Sequence, residues 1–366
     1  MALQELDPYH VKRRVEQLGA LVDLGAAAAD LGFLRRARRA LLPLPLIDRP
    51  QPVDADVFPP FAARPIAELE GKRVALIASG GSGACVALVG VARAFEEAGI
   101  EPAFISASSG GAIWGAMWSG GMSAQEMAEF SLRWKPEDYL DIQWRHLPRF
   151  LLSALRGFTG LAKGEAIERL FDERLYGRTA GELEIPLATI VWDMDLGRLE
   201  YFGTEDTPEV TVGELVRIAI ALPLFIESVP VRDHLYVDGG IVDVFPAEPV
   251  IVRAEAFDHV FGVNFILPAG FEGSDITGWH DEVGGILKAS RQLQQGNQLE
   301  LARRSARTLG NRLTMIEATD PSIVEGVAFY DLFIDRSRWP ELIRSGHDRA
   351  TEALDRFHVE VSAPAG

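Results

Sequence analysis

Cysteine is almost missing from this sequence: Cys85 stands alone among 366 residues. An intrachain disulfide is thereby excluded, as is a zinc site built on clustered thiolates. Positive charge is scarce as well, with 36 lysines and arginines against 53 aspartates and glutamates and a formal net charge of −17. A general nucleic-acid binder needs a basic surface to neutralise phosphates, so the balance argues against nucleic acid as a partner. No run of about 18 uncharged apolar residues occurs, the length a spanning helix requires. Glu5, Asp7 and His10 stand where a secretory leader would be apolar without a break. The expected address is cytoplasmic. Nucleotide signatures are incomplete too: after Gly80-Gly81-Ser82-Gly83, Val86 occupies the place of the third fingerprint glycine, and no Walker lysine follows.

The chain is long enough to bury a substantial core, and its pattern divides into three stretches. Residues 1–70 read as a helical segment (Val11, Val15, Leu18, Leu21 and Leu24 at helical spacing) followed by a proline-rich connector from Leu42 to Pro65. Residues 71–268 alternate strand-like and helix-like runs. Arg73–Ala78 is a continuous apolar run of the buried-strand kind, and Val86–Ala98 reads as a helix stopped by Gly99. Further strand-like runs lie at Leu187–Trp192, Leu235–Val237, Val260–Ile266 and, beyond the second stretch, Leu313–Ile316. Residues 269–366 read as a mainly helical, charged extension of the same domain. Strands alternating with helices predict an α/β fold with a mostly parallel central sheet covered on both faces. Ligands of such sheets bind at the carboxyl ends of the strands.

Three glycine-rich corners follow strand-like runs. The first is Gly80-Gly81-Ser82-Gly83, whose amides, opening a helix, could hold a phosphate or a developing oxyanion. The second is Ser106-Ala107-Ser108-Ser109-Gly110-Gly111 after the run Ala103-Phe104-Ile105. Small residues around a serine at a strand-to-helix corner suit a nucleophile elbow. Ser108 is the favoured nucleophile, two residues before Gly110, with Ser106 in place of the usual first glycine; Ser109, counted against Gly111, is second. The third corner is Asp238-Gly239-Gly240, where glycines let a carboxylate approach another segment. Each corner also has a bland meaning, as a tight packing site or an ordinary turn. Their joint occurrence in one α/β pattern lifts the catalytic meaning of all three.

A Ser-His-Asp arrangement would need a histidine, and none of His10, His146, His234, His259, His280, His347 and His358 stands in a motif-like setting. His259 is expected to cap a surface turn. A Ser–Asp dyad needs no histidine: Asp238 would take the Ser108 proton directly. Partial burial should then raise the aspartate above its ordinary pKa of about 3.9.

The order glycine-rich loop, serine elbow, Asp-Gly-Gly resembles the patatin-like phospholipases, lipid acyl hydrolases with a Ser–Asp dyad. The resemblance runs from about Arg73 to Ile266. It includes Gly90-Val91 with Ala94-Phe95-Glu96-Glu97-Ala98-Gly99-Ile100, Ile185-Pro186-Leu187 with Asp193 and Gly197-Arg198, and Ala221-Leu222-Pro223-Leu224-Phe225. It implies a three-layer α/β/α patatin-like sandwich, with Ser108 as nucleophile and Asp238 as dyad acid. Gly80, Gly81, Ser82 and Gly83 would form the oxyanion loop, and no metal or organic cofactor would be needed. Ser82, Ala84, Cys85 and Ser106 depart from the family pattern while keeping side chains small.

The expected function is therefore a serine acyl hydrolase of lipase or phospholipase type, with a lipid or acyl-ester substrate. Two alternatives stand beside it. One is a conventional Ser-Asp-His hydrolase using His259 or His280; the other is a non-catalytic acyl-binding or scaffold protein with a degenerate loop. Peripheral membrane contact is an added expectation. It rests on Trp144, Leu147, Leu151, Leu155 and Phe158 at helical spacing among Arg145, Arg149 and Arg156, and on the basic stretch from Phe33 to Leu46.

Overall fold

Short apolar runs become strands here because both faces of the sheet are covered. In the computed structural model, residues 57–141, 160, 162–223, 225–267, 283–320, 332–333 and 336–362 are described. The N-terminal helical segment, the connector as far as residue 56, His10, His146 and His280, and the amphipathic segment from Trp144 to Phe158 lie outside the described residues. Among the described residues eight strands form one sheet: β1 (Val74–Ala78), β2 (Pro102–Ala107), β3 (Leu187–Asp193), β4 (Arg198–Gly203), β5 (Val229–Val231), β6 (His234–Asp238), β7 (His259–Asn264) and β8 (Leu313–Glu317). Every residue of β1, β3 and β7 is buried. That is the burial expected of strands with helices on both sides.

The order is β5-β6-β3-β2-β1-β7-β8, with β4 also paired to β3. Strands β3, β2, β1, β7 and β8 run parallel, while β4 and β6 are antiparallel to β3. Alternation along β1 sends Val74, Leu76 and Ala78 to one core and Ala75 and Ile77 to the other. The first core takes α1 (Ala87–Ala98), α2 (Gly110–Ser119), α3 (Ala124–Arg133), α4 (Glu165–Arg174), α5 (Val212–Ala219) and α7 (Trp339–Ser362). The second is closed by the short helix Glu248–Ile251 and by Leu299 and Leu309 of α6 (Val283–Leu309). The result is an α/β/α sandwich with a mixed, mostly parallel sheet.

Local chemistry fixes the helix ends near the site. Helix α1 stops at Gly99, which adopts φ +70° and turns its amide back to Phe95 and Glu96. Helix α2 is buried on all sides, and its sequence Gly-Gly-Ala-Ile-Trp-Gly-Ala-Met-Trp-Ser offers no polar stripe to solvent. Helices α1 and α7 cross backbone to backbone. A Cβ added at Gly90 would lie 1.9 Å from the Ile343 carbonyl oxygen, and one added at Gly346 would lie 2.0 Å from that of Ala87.

Candidate active site

Strand β3 brings the second and third corners together. One of its edges is taken by β4, which pairs from Ala188 to Asp193. The other edge must therefore serve two strands. β2 arrives parallel, with Ala107 opposite Thr189, and β6 arrives antiparallel, with Asp238 opposite Val191. The two strands end head to head, two residues apart along β3, roughly 7 Å. Gly239 sits at the junction, where an added Cβ would be 2.7 Å from the Val191 nitrogen. The third corner thus comes from an antiparallel strand rather than from the parallel row.

At the elbow the backbone singles out one serine. Ser109 has φ 49° and ψ −127°, and it caps α2 from outside. A non-glycine residue with positive φ is uncommon, and at functional sites such strain is held in place by the surrounding structure. The carbonyl oxygens of Ser108 and Ser109 accept from Gly111 and Ala112 at 2.8 and 2.9 Å, locking the turn into the helix. Gly110 and Gly111 are obligatory: an added Cβ would lie 2.3 Å from the Ser82 oxygen or 2.4 Å from the Ser79 oxygen. The two serines differ in surroundings. Ser108 is fully buried, and its hydroxyl has no hydrogen-bond partner among the described residues. Ser109 is partly exposed, and its side chain hydrogen-bonds to the Asp238 carboxylate.

Asp238 is almost wholly buried. Burial pushes its pKa up to about 7, against the opposing pull of the Ser109 hydroxyl and the Gly240 amide. That amide donates to Asp238 Oδ1 at 2.7 Å, and the Asp238 amide donates to the Ala221 carbonyl at 3.1 Å. Gly240 is tightly placed: a Cβ there would be 2.5 Å from Ser108 Oγ and 2.9 Å from Asp238 Oδ1.

The first corner lies beside these groups. Gly80 donates its amide to the Val244 carbonyl at 2.8 Å, so it is not free to meet a ligand. An added Cβ at Gly80 would be 3.1 Å from Ser109 Cβ and 3.4 Å from Ser108 Oγ, which places this residue against the elbow. Ser82, with φ 53°, opens the 3₁₀ turn Ser82–Val86. The first amides of such a turn have no partner within it. Those of Gly81, Ser82 and Gly83 meet no backbone carbonyl among the described residues. Cys85 packs underneath, its Sγ 3.7 Å from the Ser79 oxygen, and burial raises its thiol pKa well above the ordinary value. Ser106 is buried and donates to the Pro246 carbonyl at 2.6 Å, tying down the segment that follows the third corner.

No described histidine joins the cluster. His259, expected on a surface turn, is instead the first residue of β7, buried against Phe261 and Phe357. It sits opposite Val74, at the far end of β1 from the corners. Burial lowers its pKa to about 4, so it stays neutral. His234 Nδ1 lies 2.5 Å from Asp193 Oδ2, joining the start of β6 to the end of β3. His347 meets Glu97 across the α1–α7 contact, and His358 meets Glu68. Among the described residues no group of three or more histidine, cysteine or acidic side chains could hold a metal ion.

The structure thus sets a serine at a strained strand-to-helix turn beside a buried carboxylate, an arrangement of the kind in which a hydroxyl can act as a nucleophile. Residues 76–251 match the family model of patatin-like phospholipases, and this part of the chain is a patatin-like phospholipase domain. Among curated relatives, patatin-like phospholipase domain-containing protein 6 of Mus musculus is 22% identical over 225 residues, covering 59% of this chain and 15% of that protein. Neuropathy target esterase sws of Drosophila melanogaster is 21% identical over 224 residues, covering 59% and 14%. The chain thus spans about one-seventh of the length of these relatives. Among solved structures, human GIVD cytosolic phospholipase A2 has a TM-score of 0.45 at 12% identity, over 94% of this chain and 64% of that one.

Proposed function

We propose that this protein hydrolyses carboxyl esters of lipids through Ser109 and Asp238, with Ser109 replacing Ser108 as the nucleophile. The observation that carries the proposal is the conjunction at Ser109 of positive φ, partial exposure and a hydrogen bond to Asp238. Ser108, preferred on spacing alone, is sealed from solvent. The elbow frame is then Ala107-Ser108-Ser109-Gly110-Gly111, and its first glycine is replaced by alanine rather than serine.

In this mechanism Asp238 accepts the Ser109 proton as Oγ attacks the ester carbonyl carbon. The carbonyl oxygen, now negative, takes hydrogen bonds from amides of Gly81, Ser82 and Gly83, each donor being worth about 3 kcal/mol in the transition state. Collapse breaks the ester C–O bond, and Asp238 returns the proton to the departing alcohol. Water then attacks the acyl-serine, giving its proton to Asp238, and the fatty acid leaves as the Ser109 hydroxyl is restored. A general base works best with a pKa near the working pH, and Asp238 at about 7 meets that condition. The lipid character of the substrate is supported by the family of residues 76–251 and by the names of the relatives.

Fluorophosphonate labelling with peptide mapping, run alongside p-nitrophenyl acyl ester turnover, tests the proposal. The probe is expected on Ser109, and Ser109→Ala should lose both labelling and turnover. Ser108→Ala should keep both. Labelling on Ser108, or full turnover by Ser109→Ala, would refute the assignment. A folded wild-type protein that takes no probe yet binds fatty acid would favour the non-catalytic alternative.

A further inference from the structure

Two glutamines of α6, outside the family-matched segment, reach the Asp-Gly-Gly turn. Gln298 is buried and donates from Nε2 to the Gly240 carbonyl at 2.8 Å, with the Ile241 carbonyl at 3.4 Å. Gln294 donates to the Ile241 carbonyl at 3.1 Å. Residues four apart share one helix face, so a single face of α6 grips two successive carbonyls of one turn. The first of the two residues so held matters chemically. The Gly240 amide donates to Asp238 Oδ1, and Gly240 itself is wedged between that oxygen and the elbow.

We propose that Gln298, assisted by Gln294, is a positioning clamp that keeps the Gly240 amide on Asp238 and so keeps the carboxylate aimed at Ser109. This rests on the Ser109–Asp238 reading and extends it to a part of the chain that the family model does not cover. The clamp acts through the turn: the hydrogen bonds of the two glutamines go to the Gly240 and Ile241 carbonyls. The groups that bear on Asp238 are the Ser109 hydroxyl, the Gly240 amide and the Cys85 thiol of the turn beneath the loop. The thiol is neutral near pH 7, so the Gly240 amide and the Ser109 hydroxyl are what stabilise the charged carboxylate. Loosening the turn weakens one of these two bonds and moves the carboxyl further up.

The experiment compares full-length wild type, Gln298→Met (similar length, no donor) and Gln294→Ala, an exposed position that leaves the core alone. Turnover of a p-nitrophenyl ester is followed from pH 5 to 9, with Tm and amide exchange at Gly239–Ile241. For Gln298→Met the expected result is an acid limb moved up by about half to one pH unit, and kcat at pH 6.5 lowered about three- to eightfold. KM should hold steady, and exchange at Gly240 and Ile241 should speed up. Gln294→Ala should move in the same direction by about half as much. A folded Gln298→Met with the wild-type acid limb and exchange overturns the clamp. Should that variant fail to fold, an unchanged acid limb and exchange in Gln294→Ala overturns it instead. Full turnover by Ser109→Ala would sink the dyad while leaving the exchange measurement to judge the clamp on its own.

Discussion

Asp238 makes opposite demands on rate and on stability, and both can be read from its titration. As the proposed base it must be ionised, so on that reading turnover should rise through pH 7 and fall about tenfold per unit on the acid side. For stability the sign reverses. The unfolded carboxyl titrates near 4, whereas the folded one, lifted by burial, titrates at about 7. Between those values the folded protein holds a proton that the unfolded chain has released, so stability falls as pH rises across that window. Asp238→Asn removes the titration. Its Tm should exceed that of wild type at pH 8, by an effect on the order of 4 kcal/mol, and the gap should close below pH 4. Scanning calorimetry at the two pH values checks this; a gap independent of pH would mean that Asp238 is not a strained buried carboxyl. Asp193 offers a contrast on the same sheet. Burial raises it, but His234 and the amides of Leu196 and Asp195 outweigh that effect and hold it below the usual range, which marks an aspartate settled as a structural anion.

At the scale of elements, the crossing of α1 and α7 decides whether the C-terminal helix can seat at all. Gly90 and Gly346 leave no room for a side chain, each facing a carbonyl oxygen at about 2 Å from a hypothetical Cβ. Gly346→Val should therefore destabilise by about 3 kcal/mol or more, measured by urea unfolding, whereas Gly99→Asn, in open space at a left-handed cap, should cost far less. An equal effect of the two would remove the close-approach argument. The strands that form these layers were largely legible. β1, β3, β7 and β8 fall within about two residues of their apolar runs; in the first three both faces are buried, which makes the hydrophobic signal continuous. β5 was not legible: it is three residues long, with Pro230 in its middle, a composition tolerated only where pairing is partial. The site divides similarly. Glycines advertised all three corners, but two adjacent serines differ only in backbone torsion and in which hydroxyl is sealed, and neither is written in spacing. Committing the Gly80 amide to Val244 requires a contact 164 positions away, and Gln298 meets its turn across 58. Long-range pairings of that kind leave no local signature.

For the molecule as a whole, the family-matched segment and the folded unit do not coincide. The match ends at residue 251, yet β1, which delivers the glycine-rich loop, is flanked on one side by β7 and beyond it by β8. Phe265, whose amide is held by Ser79 Oγ at 3.0 Å, presses on Gly81 from the same side. Helix α7 covers α1, and α6 closes the second core. Among the described residues no helix is long and apolar enough to cross a membrane; both long C-terminal helices contribute buried residues to the two cores.

A shortened protein comprising residues 76–251 alone would carry β1 as a bare outer strand, its row of amides and carbonyls from Val74 to Ala78 cut short and stripped of β7. Uncovered strands of this kind recruit one another. Such a fragment should therefore emerge as insoluble or multimeric material in gel filtration, while a version extended through α7 should elute as a discrete folded species. If the fragment proved monodisperse and folded, the outer strands would be ornament.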